Sequence, residues 1–124
     1  MFDAIDINQK FQLVTEYYTP KQIASLNGTA IKIAKFKGPF TWHTHIESDE
    51  IFWVVRGTLT IMMRASQGDT GISITENQLF SVPKGVEHKP VADNEVWVVL
   101  LEPEDMINTG DVSNEFTVKK IDKI

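Results

Sequence analysis

Short apolar runs broken by turn residues recur along the chain, and this rhythm constrains the fold more than any other feature. The runs are rich in Ile, Val, Phe and Trp and are bounded by Gly, Pro, Asn and Asp, the pattern of an all-β sandwich or barrel. Asn27-Gly28 is the strongest hairpin signal, since both residues accept the positive φ of a type I′ turn. On its far side, residues 29–37 alternate as a strand does. On its near side, residues 21–26 read as the partner strand, although Thr19-Pro20 also suits the start of a short helix with Ile23 and Leu26 on one face. The hairpin is the preferred reading.

A strand is expected over 41–46, then a turn at Ser48-Asp49 and a strand over 50–56. In the latter, Glu50, Phe52 and Val54 share one face while Ile51, Trp53 and Val55 share the other. Both faces are largely apolar, so this strand is expected in the centre of the sheet with each face covered. Further strands are expected over 58–63, 72–75 and 79–82, with Asn77 left-handed between the last two. Pro83-Lys84-Gly85 suits a type I turn. A continuous apolar strand follows over 96–101, and residues 115–121 suggest a last edge strand. About eight to ten strands with little helix suffice to close a barrel.

With 124 residues, the chain fits one domain, 1–124. Its barrel core is expected over about 29–103, with N-terminal strands in 1–28 and a C-terminal tail, 104–124, packed on it. The hydrophobic content of 42% is enough for a core. The net charge of −5 carries no basic cluster, so nucleic-acid binding is not expected. Absence of cysteine excludes disulfides, thiolate metal sites and cysteine nucleophiles. The first six residues carry acids where a secretory leader needs basic residues and then an apolar run. No apolar stretch approaches a membrane span, so a cytoplasmic, non-membrane protein is expected.

Candidate chemistry gathers on four residues. Two of the three histidines form His43-Thr44-His45, and residues two apart on a strand face the same way. Glu50 lies five residues further on, across a turn, where it is expected to swing back onto the paired strand. His88 follows the Pro83-Lys84-Gly85 turn and must arrive from elsewhere in the barrel. Three imidazoles and one carboxylate suit a divalent transition metal: Fe, Mn, Co, Ni, Cu or Zn. They leave room for water or substrate, as catalytic sites do. Each residue alone has an ordinary explanation, as a surface His, an edge carboxylate or a loop His. Together, those explanations need every histidine of the chain to fall at this spacing by accident.

These residues resemble the motifs of the cupin superfamily over most of the chain. The first motif is matched by Gly38, His43-Thr44-His45, Glu50 and Gly57, and the second by Pro83, Gly85 and His88. Three departures stand out: four residues rather than the usual five separate Gly38 from His43, Asn77 replaces a glycine, and Ala92 stands where the family usually has Asn. The resemblance implies a double-stranded β-helix, or jelly-roll barrel, with the metal inside one mouth.

Single-domain cupins include dioxygenases, isomerases, lyases and sensors, and fold alone does not choose among them. The expected function is therefore a metal-dependent enzyme acting on a small molecule, with dioxygenase-, isomerase- or lyase-like chemistry. The alternative is a non-catalytic module that binds or senses a sugar or organic acid. No general acid or base is identified. Glu47, Asp49 and Glu87 are expected to face away from the site, and Tyr17 and Tyr18 either cover the mouth or pack. Trp42, Phe52, Trp53, Met62, Met63, Phe80 and Trp97 are candidates for an apolar lining or for ordinary core. A homodimer is expected from the apolar outer face of 50–56.

Overall fold

The computed structural model describes residues 2–124, and those residues form seven strands and one short helix. The helix α1 (Ile7–Phe11) is capped by Asp6, whose Oδ1 accepts a hydrogen bond from Gln9 N at 3.0 Å. It occupies part of the N-terminal region expected as strand. The strands are β1 (Lys21–Leu26), β2 (Thr29–Pro39), β3 (Glu50–Arg56), β4 (Leu59–Met63), β5 (Thr70–Ile74), β6 (Leu79–Val82) and β7 (His88–Pro103).

The β1–β2 hairpin closes as the sequence suggests, with φ of 50° at Asn27 and 88° at Gly28. All strand pairings are antiparallel, in the order β1-β2-β7-β3-β6, with β4 pairing both β5 and β7. β7 holds this arrangement together. Its first residues pair with β4 and with the end of β2, its last eight pair with β2, and five of those, 97–101, also pair with β3. Asp93, Asn94 and Glu95 are exposed at the change-over, where the β2–β7 register shifts between Phe36 and Gly38. Gly57 is required beside this point: a Cβ there would lie 2.9 Å from Glu95 O, and its φ is 90°. Asn77 is left-handed, at φ 66°.

The sheet wraps into an all-β jelly roll with two apolar layers. Phe36, Phe52, Val54, Leu59, Val96 and Val98 belong to the inner core. On the outer face of β1, β2 and β7, Phe11, Val14, Ile23, Ile33, Trp97 and Val99 form a second cluster, where Phe11 stacks on Trp97 at 4.8 Å between ring centroids. The run 96–101 is therefore continuously apolar because both of its faces are buried. β3 is central, between β6 and β7. Its outer face is not fully covered, however: Trp53 is 41% exposed and its cross-strand partner Leu79 is 56% exposed.

Two expected strands are absent. Residues 41–46 contain only an isolated bridge at His43. Residues 115–121 are irregular, because polar side chains occupy the backbone groups a strand would use: Asn108 accepts from Val118 N and Asn114 from Phe116 N, both at 2.9 Å. No helix among the described residues is long and apolar enough to cross a membrane.

Candidate metal centre

His43 and His88 are held against each other by their own backbones. His43 N donates to His88 O at 3.0 Å and His88 N to His43 O at 2.9 Å. The segment beyond β2 continues along this line, with His45 O accepting from Gly85 N at 2.9 Å. His45 thus points inward without belonging to a strand. Glu50 arrives differently from the sequence expectation. Its strand pairs with β6 and β7 and not with the histidine segment, so the carboxylate reaches the cluster from the neighbouring part of the barrel wall.

The four side chains are brought together all the same. One candidate ligand atom from each of His43, His45, Glu50 and His88 lies within 4.8 Å of the others, and all four residues are buried. The tautomers follow from the partners. His43 Nδ1 lies 2.8 Å from Thr41 O and His88 Nδ1 2.9 Å from Val86 O. A carbonyl can only accept, so in the neutral rings these nitrogens carry the proton and leave Nε2 as a lone pair.

His88 Nε2 faces Glu50 Oε1 at 3.4 Å, and His45 Nε2 faces the same oxygen at 3.3 Å. The His45 contact lacks hydrogen-bond geometry, and that buried nitrogen has no partner. Lone pairs and a carboxylate oxygen crowded into one dry spot repel unless a cation stands among them. The donor set therefore fits a divalent ion.

Electrostatics favour the forms that bind metal. Burial, helped by the neighbouring His88, lowers His43 from its ordinary value to about 4, so its ring is neutral at pH 7. Burial pushes the Glu50 carboxyl up, but hydrogen bonds and positive charge from His45 and His88 in their protonated, metal-free forms outweigh it and hold the group well below the usual carboxylate range, the part a bound cation would take over.

Beside His43 and Glu50 lies a small cavity of about 20 Å³, lined by Phe36, Phe40, Phe52 and Leu100 among others. That is room for one water-sized molecule. On the His45 side, an open depression of about 380 Å³ runs between Thr44–Ser48 and the chain around Met106 and Asp111.

The other sequence candidates fall elsewhere. Asp49 Oδ1 accepts from Lys84 N at 2.9 Å, and Glu87 pairs with Arg64 at 3.2 Å. Tyr17 bonds Glu95 at the surface, whereas Tyr18 is buried with its hydroxyl donating to Gly38 O. Burial pushes that hydroxyl's pKa up. Among the candidate lining residues, only Phe52 borders the small cavity. Met63 and Phe80 pack in or against the core, and Met62 is half-buried. Trp42 lies under the Arg64 guanidinium at 4.1 Å, and Trp53 and Trp97 are on the outer face.

Two interior groups escaped the sequence reading: Lys32 and Glu102, 1% and 3% exposed. The signal was present. Lys32 shares its period of two with Ala30, Ala34 and Phe36, and Glu102 continues Val96, Val98 and Leu100 onto the inner face.

A small jelly roll with an inward-facing cluster of three histidines and one glutamate defines the class of protein. No protein-family model matches the chain. A crystal structure of a cupin-2 domain containing protein from Shewanella frigidimarina NCIMB 400 is 38% identical with a TM-score of 0.77, covering 82% of this chain and 95% of that one. The chain belongs to the cupin superfamily. The uncharacterized protein YdbB of Bacillus subtilis (strain 168) is 32% identical over 76 residues, 61% of this chain. The match spans 65% of that protein, just under two thirds of its length. Hydroquinone 1,2-dioxygenase PnpCD, in complex with Cd²⁺ and 4-hydroxybenzonitrile, shares the fold with a TM-score of 0.65, covering 77% of this chain and 69% of that one. At 11% identity, that likeness is one of fold alone.

Proposed function

We propose that this protein is a metal-dependent enzyme acting on a small molecule, and that His43, His45, Glu50 and His88 hold one divalent transition metal. The observation that carries this reading is the convergence of ligand atoms from four buried residues within 4.8 Å, with Nε2 of His45 and of His88 at 3.3 and 3.4 Å from Glu50 Oε1. When bound, the ion would supply Lewis acidity or redox chemistry. The chain's own contribution is binding and shielding. Thr41 O and Val86 O fix two ring tautomers, and Phe36, Phe40 and Phe52 keep bulk water from one side of the cluster. The small cavity suits a water-sized molecule, while the depression at His45 has the volume for an organic substrate.

Oxygenase chemistry is the preferred reaction type. A donor set of this kind leaves coordination positions open, and a dioxygenase of the same fold takes Cd²⁺ and an aromatic ligand. The test is a panel of small aromatic, hydroxy-acid and sugar compounds offered to the metal-loaded protein with and without O₂. Turnover that needs both metal and O₂, and that falls in Glu50→Gln, supports the proposal. Saturable binding of a compound that is never converted overturns it in favour of a binding module.

A further inference from the structure

The histidine–glutamate cluster is bordered by two separate spaces, and one irregular segment lines both. Asn108 borders the small cavity beside His43 and Glu50. Asp105, Met106, Ile107, Gly110 and Asp111 line the open depression at His45. Residues 105–111 therefore stand as a wall between the two. The inner space, about 20 Å³, holds one water-sized molecule, and the outer, about 380 Å³, has the volume for an organic compound.

This wall is built differently from the barrel around it. β2, β3 and β7 are joined by continuous ladders, whereas residues 105–111 belong to no strand. Just before them Glu104 N donates to Gly28 O at 3.0 Å, and beyond them Phe116 packs on Phe40 with ring centroids 5.2 Å apart. Between these anchors the ties to the barrel are polar. Asp111 N donates to Thr44 O at 3.1 Å, and Thr44 N donates to Asp111 Oδ1 at 2.8 Å. Asn114 Nδ2 donates to Thr41 Oγ1 at 3.2 Å. Lys32 Nζ, buried beside Glu102, donates to Met106 O at 3.5 Å.

The fit is closest at Gly110, where a Cβ would collide with Thr44 O and lie 3.2 Å from His45 Nδ1. Its φ of 55° likewise suits glycine. Asp111 and Asn114 are exposed, so water replaces their hydrogen bonds at small net cost. A stretch held by such bonds opens more readily than a buried ladder.

We propose that residues 105–111 are a latched wall that decides which molecules larger than water reach the metal cluster. The wall opens when the Asp111–Thr44 bonds break, and the two spaces then join into one site. The role rests on the metal-centre reading above.

The chain's three histidines all belong to the cluster. Their modification by diethyl pyrocarbonate, followed by ultraviolet absorption, therefore reports access to the site in the metal-free protein. Transfer of Co²⁺ from the loaded protein to the dye pyridylazoresorcinol reports it with metal present. Asp111→Ala, which removes the acceptor for Thr44 N, is expected to speed both reactions about tenfold, the effect of losing one hydrogen bond to a charged group. Gly110→Ala, which props the wall off Thr44, is expected to do the same. Phe11→Ala loosens the outer cluster and touches neither space, so its rates should match wild type. Wild-type rates in Asp111→Ala and Gly110→Ala overturn the proposal. So does an equal rise in Phe11→Ala, which traces access to general loosening. Should Asp111→Ala not fold, Asn114→Ala carries the same comparison, with a rise of about fivefold. If wild type takes up no Co²⁺, the metal-centre reading fails. The histidine modification rates then decide on the wall alone, supporting it if they rise only in the latch variants and overturning it if they do not.

Discussion

His43 and His88 face each other across a single antiparallel bridge, with two main-chain hydrogen bonds of 3.0 and 2.9 Å and ring centroids 4.3 Å apart. Their placement depends on backbone pairing and not on the rings themselves. The double variant His43→Ala, His45→Ala is therefore expected to keep a β-rich, cooperatively melting barrel while losing metal binding. Removing polar groups from an apolar interior also offsets part of the lost ring packing. Circular dichroism and metal titration check both halves. A double variant that fails to fold would make the site structural and remove the main support for an enzyme.

Acid should destabilise the metal-free protein through His43. The folded chain holds this ring at about 4, whereas the unfolded chain protonates it near about 6.5. The folded state thus binds fewer protons in that window. The contribution is fully present above about pH 6.5 and is lost as pH falls towards about 4, amounting to roughly 3 kcal/mol at most. Glu50, also held low, acts with the same sign at lower pH. Chemical denaturation of chelator-treated protein at pH 7 and pH 4.5 measures the difference, and His43→Gln should flatten it. Equal stability at the two pH values would contradict the account.

The outer layer should be separable from the site. Phe11 is fully buried and stacked on Trp97, and Phe11→Ala is expected to cost about 3 to 5 kcal/mol. Metal affinity of the folded fraction should be unchanged, since neither ring borders the metal cluster. Denaturation and Co²⁺ titration of the same preparation test both statements.

Assembly is expected to use the outer face of β3 and β6. Trp53 and Leu79 are paired there and left 41% and 56% exposed, and a second copy would cover them. Light scattering at tens of micromolar should show a homodimer, and Trp53→Arg should reduce it to the 14.1 kDa chain. A wild-type protein of that smaller mass would reject the dimer.

Much of this architecture was legible because period-two patterning and turn chemistry act locally. The strands Glu50–Arg56 and Leu79–Val82, and the left-handed Asn27, Gly28 and Asn77, follow from neighbouring residues alone. Long-range effects were less legible. β7 begins at His88 and not at 96, because its first residues pair with β4, which no local pattern announces. The His43–His45 segment looks like a strand, yet only His43 is bridged. The helix at Ile7–Phe11 is short and depends on the Asp6 cap and the burial of Phe11. Lys32 shares the inward period of Ala34 and Phe36, but Ile31 and Ile33 beside it mark the other face just as strongly, because that face is covered by the outer cluster.

Metal uptake tests the central claim most directly. Purified protein is stripped with chelator, reconstituted with Fe, Mn, Co, Ni and Zn in turn, and measured for metal content and melting. The account predicts close to one equivalent per chain for at least one of these ions. It also predicts added stability of about 2.7 kcal/mol at free metal a hundredfold above Kd, with uptake weakened in Glu50→Gln and abolished in His43→Ala, His45→Ala. Less than about a tenth of an equivalent with every ion would contradict it.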